Sequence, residues 1–503
     1  MSAQSHSPGD HGGHGGSSVS GGSDGPPGKP AFTTPIVIGL EIHAELKTKT
    51  KLFCRCPTGS ATADGKGAVD GSESPNTRTC PICLGMPGSK PVLNKLALQH
   101  GLLLSLACNC EIAPTLVFSR KSYFYPDLAK NYQITQYELP LGSDGKVVVG
   151  GKPVGITRVH LEEDPASLVH PSGVGGSRFV LIDYNRSGNP LAEIVSAPDM
   201  ASPAEARDFL NWLLTTLDYL GIFAKDAIIK ADANVSIKES GYTRVEIKNI
   251  TGFKEIERAL AYEAERQRKD VDGVVQETRS WDALAGVTRS MRTKETEQDY
   301  GYIIDTDLVP IAITTEMIQQ ARELLPELAD AKEQRYLALG VGETDARVIS
   351  QDKELARVFE LAAAKVEPVL VGKWVRRELA RVANYNSLCV GDIDTTQFIA
   401  LLELLSERKV TETTAQRLLE ELGAGSFDVR GRVAADGLGV VADAGALEGM
   451  CKEAIAEAPQ AVSEYRAGEE KALNFIIGIV MRKSKGKAEP KLVKEHLHAL
   501  LSA

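Results

Sequence analysis

Two carboxylates and an imidazole share one face of a strand-like segment near the start of the chain. Residues 36–46 read IVIGLEIHAEL, in which apolar side chains occupy every second position. Because successive side chains of a β-strand point to opposite faces, Glu41, His43 and Glu45 lie together. Same-face neighbours are about 6.5 to 7 Å apart, so Glu41 and His43 could share one cation directly or through water. A solvated strand face is the alternative that this segment leaves open.

A second polar face is predicted in a β-hairpin. Residues 231–238 (ADANVSIK) and 243–250 (TRVEIKNI) flank the turn residues 239–242, and the odd positions 233–237 and 245–247 are apolar. The even positions carry Asp232, Asn234, Ser236, Arg244, Glu246 and Lys248. This face concentrates oxygen ligands and cations that can bind phosphate. An ordinary solvated sheet face is again the alternative.

A third strand-like segment, RVHLEEDP (residues 158–165), ends at a proline. Alternation places Glu162 on the face of Arg158 and His160, and Glu163 on the other, so only one of the two glutamates should reach a common site. Hard oxygen ligands of this kind suit Mg²⁺. In the following segment, LIDYNRSGNPLAEI, Arg186 is a candidate phosphate clamp.

Four cysteines have the spacing of a structural zinc site. Cys54 and Cys56 form one pair and Cys80 and Cys83 form another, with a Gly-rich segment between them. Two other interpretations remain open: buried thiols without metal, or one functional pair completed by Cys108 and Cys110. Paired cysteines without a disulfide scaffold favour a reducing compartment and a cytoplasmic protein.

Two segments have the composition of nucleic-acid contacts. Residues 119–136 (SRKSYFYPDLAKNYQITQ) interleave Lys121 and Lys130 with Tyr123 and Tyr125, which suits phosphates beside stacked, unpaired bases. An aromatic core loop with surface lysines is the alternative. Near the end of the chain, residues 481–494 set six cations, among them Arg482, Lys483, Lys485 and Lys487, against one acid, Glu489. Because the net charge of the chain is −10, binding would depend on such local patches.

The 503 residues, 43% hydrophobic and 25% charged, indicate a soluble globular protein of about three domains. Runs of apolar residues are too short for the roughly 20 residues of a membrane span. Residues 1–34 are rich in Gly, Ser, His and Pro, and predict a disordered tail rather than a secretory signal. We predict an α+β fold: a β-rich domain over residues 35–305, then all-helical domains over 306–410 and 411–503. The Gly- and Ala-rich stretch 427–443 separates the last helical group from the one before it.

Common signatures of nucleotide binding and nucleophilic catalysis are missing from the sequence. There is no Walker A motif, no convincing Rossmann fingerprint and no Gly-x-Ser-x-Gly elbow. A nucleotide would therefore bind on a different scaffold, and the chain is not expected to supply a catalytic nucleophile.

Taken together, several motifs strongly resemble the B-subunit family of the aspartyl/glutamyl-tRNA amidotransferases. They are VIGLEIHAELKTKTKLFC, PNTRTCPICLGMPG, KSYFYPDLAKNYQITQYELPL, HLEEDP, DYNRSGNPLAEIVSAPD and VEIKNITGF. The resemblance runs from about residue 35 to the C-terminus. The ending LNFIIGIVMRKSKGKAEPKLV is similar to the family's helical tail domain, which implies tRNA binding there.

The resemblance implies that residues 35–305 form the family's cradle domain, which holds the misacylated tRNA end, ATP and Mg²⁺. ATP then phosphorylates the side-chain carboxylate of Glu on tRNA-Gln or Asp on tRNA-Asn, and ammonia displaces the phosphate. By resemblance, Glu41, His43, Glu163 and Glu246 form the metal site, with Glu162 as an alternative to Glu163. Charge and strand face, rather than resemblance, make Arg186, Arg244 and Lys248 candidates for phosphate contacts.

The resemblance also implies a heterotrimer. An amidase partner, the family's A subunit, would supply ammonia, and the small C subunit would wrap the interface. The chain has no room for the inserted domain of the archaeal Glu-tRNA-specific relative, which favours the bacterial dual-specificity form. Two rival hypotheses are a noncatalytic tRNA-binding scaffold and a stand-alone kinase for a small carboxylate. The scaffold hypothesis predicts that Glu41, His43 and Glu246 are ordinary surface residues.

Overall fold

The computed structural model describes residues 35–59, 74–171, 179–223, 229–293, 300–440, 444–484 and 487–502. The predicted disordered tail, residues 1–34, and the predicted tRNA contact Lys485 lie outside these ranges. The described part divides into a sheet-rich N-terminal region and a helical C-terminal region, which confirms the predicted fold class. Within it, no helix is both long and apolar enough to cross a bilayer.

The strands of the described residues all lie in the sheet-rich region. Over the described ranges the strands are β1 (Ile36–Glu45), β2 (Glu111–Ile112), β3 (Thr115–Leu116), β4 (Ser119–Ser122), β5 (Tyr132–Thr135), β6 (Gly142–Val149), β7 (Lys152–Glu163), β8 (Ser167–Val169), β9 (Leu181–Asp183), β10 (Pro190–Ser196), β11 (Lys230–Ile237), β12 (Val245–Thr251), β13 (Glu277–Asp282), β14 (Val287–Thr293), β15 (Gly301–Ile304) and β16 (Ile311–Ala312).

Helices pack on the sheet first and then form the rest of the chain. Over the same ranges they are α1 (Lys95–Ala107), α2 (Pro203–Leu220), α3 (Phe253–Lys269), α4 (Thr315–Leu324), α5 (Ala329–Ala338), α6 (Glu343–Ser350), α7 (Lys353–Ala363), α8 (Pro368–Lys373), a π-helix (Trp374–Leu379), α9 (Ala380–Tyr385), a 3-10 turn (Val390–Asp392), α10 (Thr395–Ser406), α11 (Glu412–Ala424), α12 (Val429–Ala435), α13 (Ala444–Glu457), α14 (Pro459–Arg466), α15 (Glu470–Lys483) and α16 (Pro490–Ser502).

A nine-stranded sheet organises the first region, in the order β14-β13-β12-β11-β1-β10-β7-β6-β2. Neighbouring strands in this sheet are antiparallel except β12 and β13, which are parallel and connected through α3. The predicted hairpin is confirmed, since β11 and β12 pair with Asn234 opposite Glu246. A separate sheet of three strands, in the order β15-β4-β5, lies beside it, with β5 next to β7.

The large sheet has one apolar and one polar face around β1. Helices α1, α2 and α3 pack on the apolar face, where alternate residues of β1, from Ile36 to Ala44, are at most 1% exposed. Helix α2 begins where the Ser202 side chain accepts a hydrogen bond from the Glu205 amide, and ends at Gly221, whose φ of 66° suits glycine. The opposite face of β1 therefore stays available for the polar residues.

Three hydrophobic cores follow one another along the described part of the chain. The first includes the sheet and helices α1 to α3, and reaches Ala321 of α4, beyond residue 305. The second joins helices α5 to α12 and still contains Val410 and Leu418, so residue 410 lies inside it. The third begins at Leu447 and ends at Leu501, after the Gly- and Ala-rich stretch.

Candidate functional site

The polar face of β1 lies at the centre of a group of carboxylates and imidazoles. His43 Nε2 is 3.2 Å from Glu162 Oε1, 3.5 Å from Glu193 Oε2 and 3.8 Å from Glu41 Oε1. These residues come from three neighbouring strands, β7, β10 and β1, and the strand register explains their approach. His43 pairs with Glu193, and Glu193 pairs with His160. We call Glu41, His43, His160, Glu162 and Glu193 the carboxylate cluster.

Glu193 is the member that the sequence reasoning missed. Only 4% of the residue is exposed, and besides His43 it contacts His160 Nε2 at 3.2 Å and Arg158 Nη2 at 3.3 Å. It lies in the otherwise apolar strand β10, PLAEIVS. A single carboxylate in an apolar strand is a usable signal, because a buried charge needs a partner.

Electrostatics within the cluster favour mutual charge compensation. Burial alone would lower the pKa of His43, but hydrogen bonds to Glu162 and Glu193 raise it well above its ordinary value. Burial alone would raise the pKa of Glu193, but the charge of His160 and the hydrogen bonds of both histidines lower it. The pKa of Glu41 is raised by burial and by Glu193. The three carboxylates outnumber the two imidazoles, so three ionised acids would carry more negative charge than the histidines can offset.

The donor set of the cluster fits a divalent cation. Two groups of three residues bring one ligand atom per residue within 4.8 Å of one another. They are Glu41, His43 and Glu193, and His160, Glu162 and Glu193. Carboxylate oxygens are the ligands that Mg²⁺ prefers.

Glu163, assigned to the metal site by resemblance, lies elsewhere. Its carboxylate forms an ion pair with the ammonium of Lys130 and accepts a hydrogen bond from the Ile134 amide at 2.9 Å. The physical reason is strand alternation, since adjacent residues of β7 point to opposite faces. The structure thus brings Glu162, and not Glu163, to His43. The ammonium of Lys130, a predicted tRNA contact, is already paired with Glu163.

The hairpin places Glu246 and Lys248 on the same polar face, on β12, two strands from β1. Lys248 Nζ lies 3.0 Å from Asp232 Oδ2 and 3.1 Å from Glu246 Oε1, and Asp232 pairs with Glu41 in the sheet register. Burial would lower the pKa of Lys248, but Asp232, Glu246 and Glu41 raise it. Arg244 is exposed just before β12.

The aromatic segment contributes a cation to the cluster. Burial would lower the pKa of Lys121, but the charges of Glu162, Tyr302, Glu193 and Glu41 raise it. Its Nζ is 4.9 Å from the centroid of the Tyr300 ring. Tyr123 packs edge-on against Tyr300, with centroids 5.7 Å apart, and Tyr125 is 52% exposed.

Arg186, the predicted phosphate clamp, is engaged within its own loop. Its Nε and Nη2 donate to the carbonyls of Pro165 and Ala166 at 3.0 and 2.9 Å, and Nε lies 3.3 Å from Asp164 Oδ2. These bonds hold the loop against the end of β7. The sequence could not predict them, because the acceptors are backbone carbonyls about 20 residues away.

The four predicted zinc ligands are brought together. The Sγ atoms of Cys54, Cys56, Cys80 and Cys83 lie within 4.8 Å of one another, and we call them the cysteine cluster. A set of four thiols at this separation fits a tetrahedral zinc ion. Cys108 and Cys110 are buried in the first core.

A completely buried lysine contacts the cysteine cluster. Lys51 Nζ donates to the carbonyls of Arg78 and Tyr184 at 2.8 and 3.2 Å, and lies 3.8 Å from Cys83 Sγ. A hydrogen bond from Cys54, assisted by the Cys80 backbone and by Lys51, lowers the pKa of Cys83 to about 5. This shift favours the thiolate form of Cys83, which is the form that binds metal.

The basic tail is partly neutralised. Lys483 Nζ lies 2.8 Å from Glu453 Oε2 and 2.6 Å from Glu457 Oε1, two acids of α13. Arg482 is exposed, and Lys487 is half-buried.

Comparison with known proteins decides the family. The model described as "GatB/GatE catalytic domain" matches residues 36–319, and the model "GatB domain" matches residues 357–501. A relative from Moorella thermoacetica, named as the B subunit of aspartyl/glutamyl-tRNA(Asn/Gln) amidotransferase, is 43% identical over 483 residues, covering 92% of this chain and 99% of the relative. The chain belongs to this family of amidotransferase B subunits.

Other members of the family share the same extent. Relatives with the same name from Caldanaerobacter subterraneus and Thermus thermophilus are 41% and 42% identical, over 93% and 92% of this chain and 99% and 98% of their own lengths. The predicted resemblance and the prediction of an amidotransferase enzyme are confirmed. The carboxylate cluster lies within the span described as catalytic.

Proposed function

We propose that the chain activates the side-chain carboxylate of a misacylated tRNA with ATP. The substrates would be Glu on tRNA-Gln and Asp on tRNA-Asn, in line with the names of the relatives. The observation that carries the proposal is the carboxylate cluster, where Glu41, His43, Glu162 and Glu193 converge on the open face of the sheet.

The reaction needs activation because a carboxylate is a poor electrophile. Its oxygen attacks the γ-phosphorus of ATP, and the bond from that phosphorus to the bridging oxygen of ADP breaks. Ammonia then attacks the acyl carbon, the carbon–oxygen bond to phosphate breaks, and inorganic phosphate leaves with the amide formed. Phosphoryl transfer of this kind depends mainly on positioning and on offsetting charge.

The residues of the cluster would divide that work. Glu41, Glu162 and Glu193, with His43, would hold Mg²⁺, which offsets phosphate charge when bound. Lys121 and Lys248, whose pKa values are both raised in part by Glu41, would add positive charge to this site. Glu246 would orient Lys248 through their 3.1 Å ion pair.

The cysteine cluster would hold a structural zinc ion. Lys51 connects it to the Tyr184 carbonyl, and Tyr184 belongs to the segment that carries Arg186. Zinc would therefore fix the loop that borders the end of β7.

The tRNA would be bound at two places. Its acylated end would reach the cluster past Tyr123 and the exposed Tyr125, while Lys130 supports the site through Glu163. Arg482 and Lys487 in the described tail, together with Lys485 and the partly paired Lys483, would contact phosphates farther along.

Ammonia would come from a partner protein. Ammonia is largely protonated at neutral pH, so the amidase A subunit would supply it through a protected route, and the small C subunit would complete the heterotrimer. We expect this complex to act in the cytoplasm.

An experiment with two nitrogen sources tests the proposal. We would measure ATP-dependent amidation of Glu-tRNA-Gln by the assembled complex, once with glutamine and once with ammonium chloride. If Glu41 acts in activation, Glu41→Gln should lower both rates by about 100-fold, a loss typical of removing one preorganised electrostatic contact. If both rates stay within twofold of wild type, the chain is a noncatalytic scaffold instead.

A further inference from the structure

Arg158 combines a position beside the carboxylate cluster with guanidinium donors that its ion pair leaves unused. It lies on β7, two residues before His160, on the face of the carboxylate cluster. Its side chain is 39% exposed, whereas Glu193 beside it is buried. The residue thus reaches from the buried cluster to the surface from which a substrate would arrive.

Three other cations at or near the cluster are already committed to partners. Arg186 is held by two carbonyls and Asp164. Lys248 lies between two carboxylates, and Lys130 is paired with Glu163. A new anion would compete with these partners, so these side chains are weak candidates for the transferred phosphate.

Arg158 is anchored without being saturated. In the described part of the chain its guanidinium has one ion-pair contact, from Nη2 to Glu193 Oε1 at 3.3 Å. A guanidinium offers five N–H donors in a planar fork, so a single anchor leaves donors for a phosphate. The anchor also limits the motion of the side chain, which reduces the entropy lost on binding.

We propose that Arg158 binds the γ-phosphate of ATP next to the carboxylate cluster. This inference rests on the proposed function, because it assumes that ATP is bound on this face. Glu193 links the two parts of the site, since it contacts His43 of the cluster and Arg158 on the exposed side. The phosphate nearest the cluster is the group that is transferred, and Arg158 neutralises part of its charge.

Nucleotide binding separates this role from a structural one. We would measure the dissociation constants of ADP and of the non-hydrolysable imido analogue of ATP, each with Mg²⁺, for the assembled complex. Arg158→Gln should weaken binding of the ATP analogue about tenfold, a loss of about 1.4 kcal/mol, and leave ADP binding within twofold. The affinity of Arg158→Lys for the ATP analogue should lie between those of wild type and Arg158→Gln, because lysine keeps the charge and loses the planar fork of donors.

Lys152→Gln is the matched control, since Lys152 starts the same strand and is 64% exposed far from the cluster. It should change neither constant. If both Arg158 variants bind ADP and the ATP analogue equally more weakly, Arg158 acts only by supporting Glu193. Unchanged binding of both nucleotides would exclude a contact between Arg158 and the γ-phosphate. If the wild-type complex binds neither nucleotide, the proposed function fails, and this role of Arg158 fails with it.

Discussion

Replacing Lys51 with methionine should weaken zinc binding at the cysteine cluster. Lys51 is completely buried, and its three donors are matched by two carbonyls and Cys83 Sγ. A buried ammonium needs a compensating negative charge. Four thiolates around Zn²⁺ carry a net charge of −2, so the metal-bound cluster would supply it.

The expected magnitude follows from the 3.8 Å between Lys51 Nζ and Cys83 Sγ. Two unit charges about 4 Å apart interact by about 4 kcal/mol at an effective dielectric constant of about 20. The negative charge is shared by four sulfurs, and the ammonium contacts one of them. We therefore take about half, or about 2 kcal/mol, which is roughly a 30-fold change in the dissociation constant for zinc.

The assay is zinc competition with a chromophoric chelator under reducing conditions. Lys49→Met is the matched control, because Lys49 is exposed two residues away and should leave the zinc affinity unchanged. The thermal melting of Lys51→Met with excess zinc checks that the variant is folded. A dissociation constant for Lys51→Met within about threefold of wild type would refute the charge argument.

Three further predictions concern the cluster and the tail. In Mg²⁺ titrations of the ATP-bound complex, Glu162→Gln should weaken Mg²⁺ binding about tenfold. Glu163→Gln should leave the Mg²⁺ affinity within about twofold of wild type and should instead lower the melting temperature. The opposite order of effects would contradict the placement of the two residues. In the folded protein the pKa of His43 lies well above its ordinary value of 6.5. Protonated His43 therefore stabilises the metal-free protein fully below about pH 6.5, and this stabilisation is lost as the pH rises through the raised pKa. The melting temperature should therefore fall above about pH 6.5 in wild type and less steeply in His43→Gln, and equal slopes would contradict this. Arg482→Ala should reduce the salt dependence of tRNA binding more than Lys483→Ala, since two glutamates already neutralise Lys483; equal effects would refute the difference.

Alternation and turn residues were sufficient to predict β1, β11, β12 and the end of β7, but not β10. The apolar positions of residues 36–46 are buried, and the hairpin of β11 and β12 has the predicted register of apolar and polar faces. Both patterns are local, with a period of two residues, so they can be detected without knowledge of the fold. The extension of the first core to Ala321 depends on the packing of α4 and could not be detected in this way.

The composition of the site was predicted only in part. Strand alternation indicated Glu162, whereas the resemblance indicated Glu163, and the structure brings Glu162 to His43. Glu193 was missed because its position in the cluster depends on how β10 is ordered between β1 and β7. The order of strands in a sheet is not encoded in any one strand.

Long-range partners account for the remaining differences. Lys130 and Lys483 were predicted to bind tRNA from the cations around them, but their acidic partners lie about 30 residues away in the sequence. Local charge counts cannot include such partners. The four cysteines were easier to predict, because zinc-binding pairs have characteristic spacings within the chain.

The most direct test of the central claim is the transfer of labelled γ-phosphate from ATP to Glu-tRNA-Gln by the assembled complex without any nitrogen donor. Wild type should form a labelled acyl phosphate on the tRNA, and Glu193→Gln should lose it while still binding the tRNA. If wild type forms no labelled acyl phosphate, or if Glu193→Gln forms as much as wild type, the carboxylate cluster is not the site of activation.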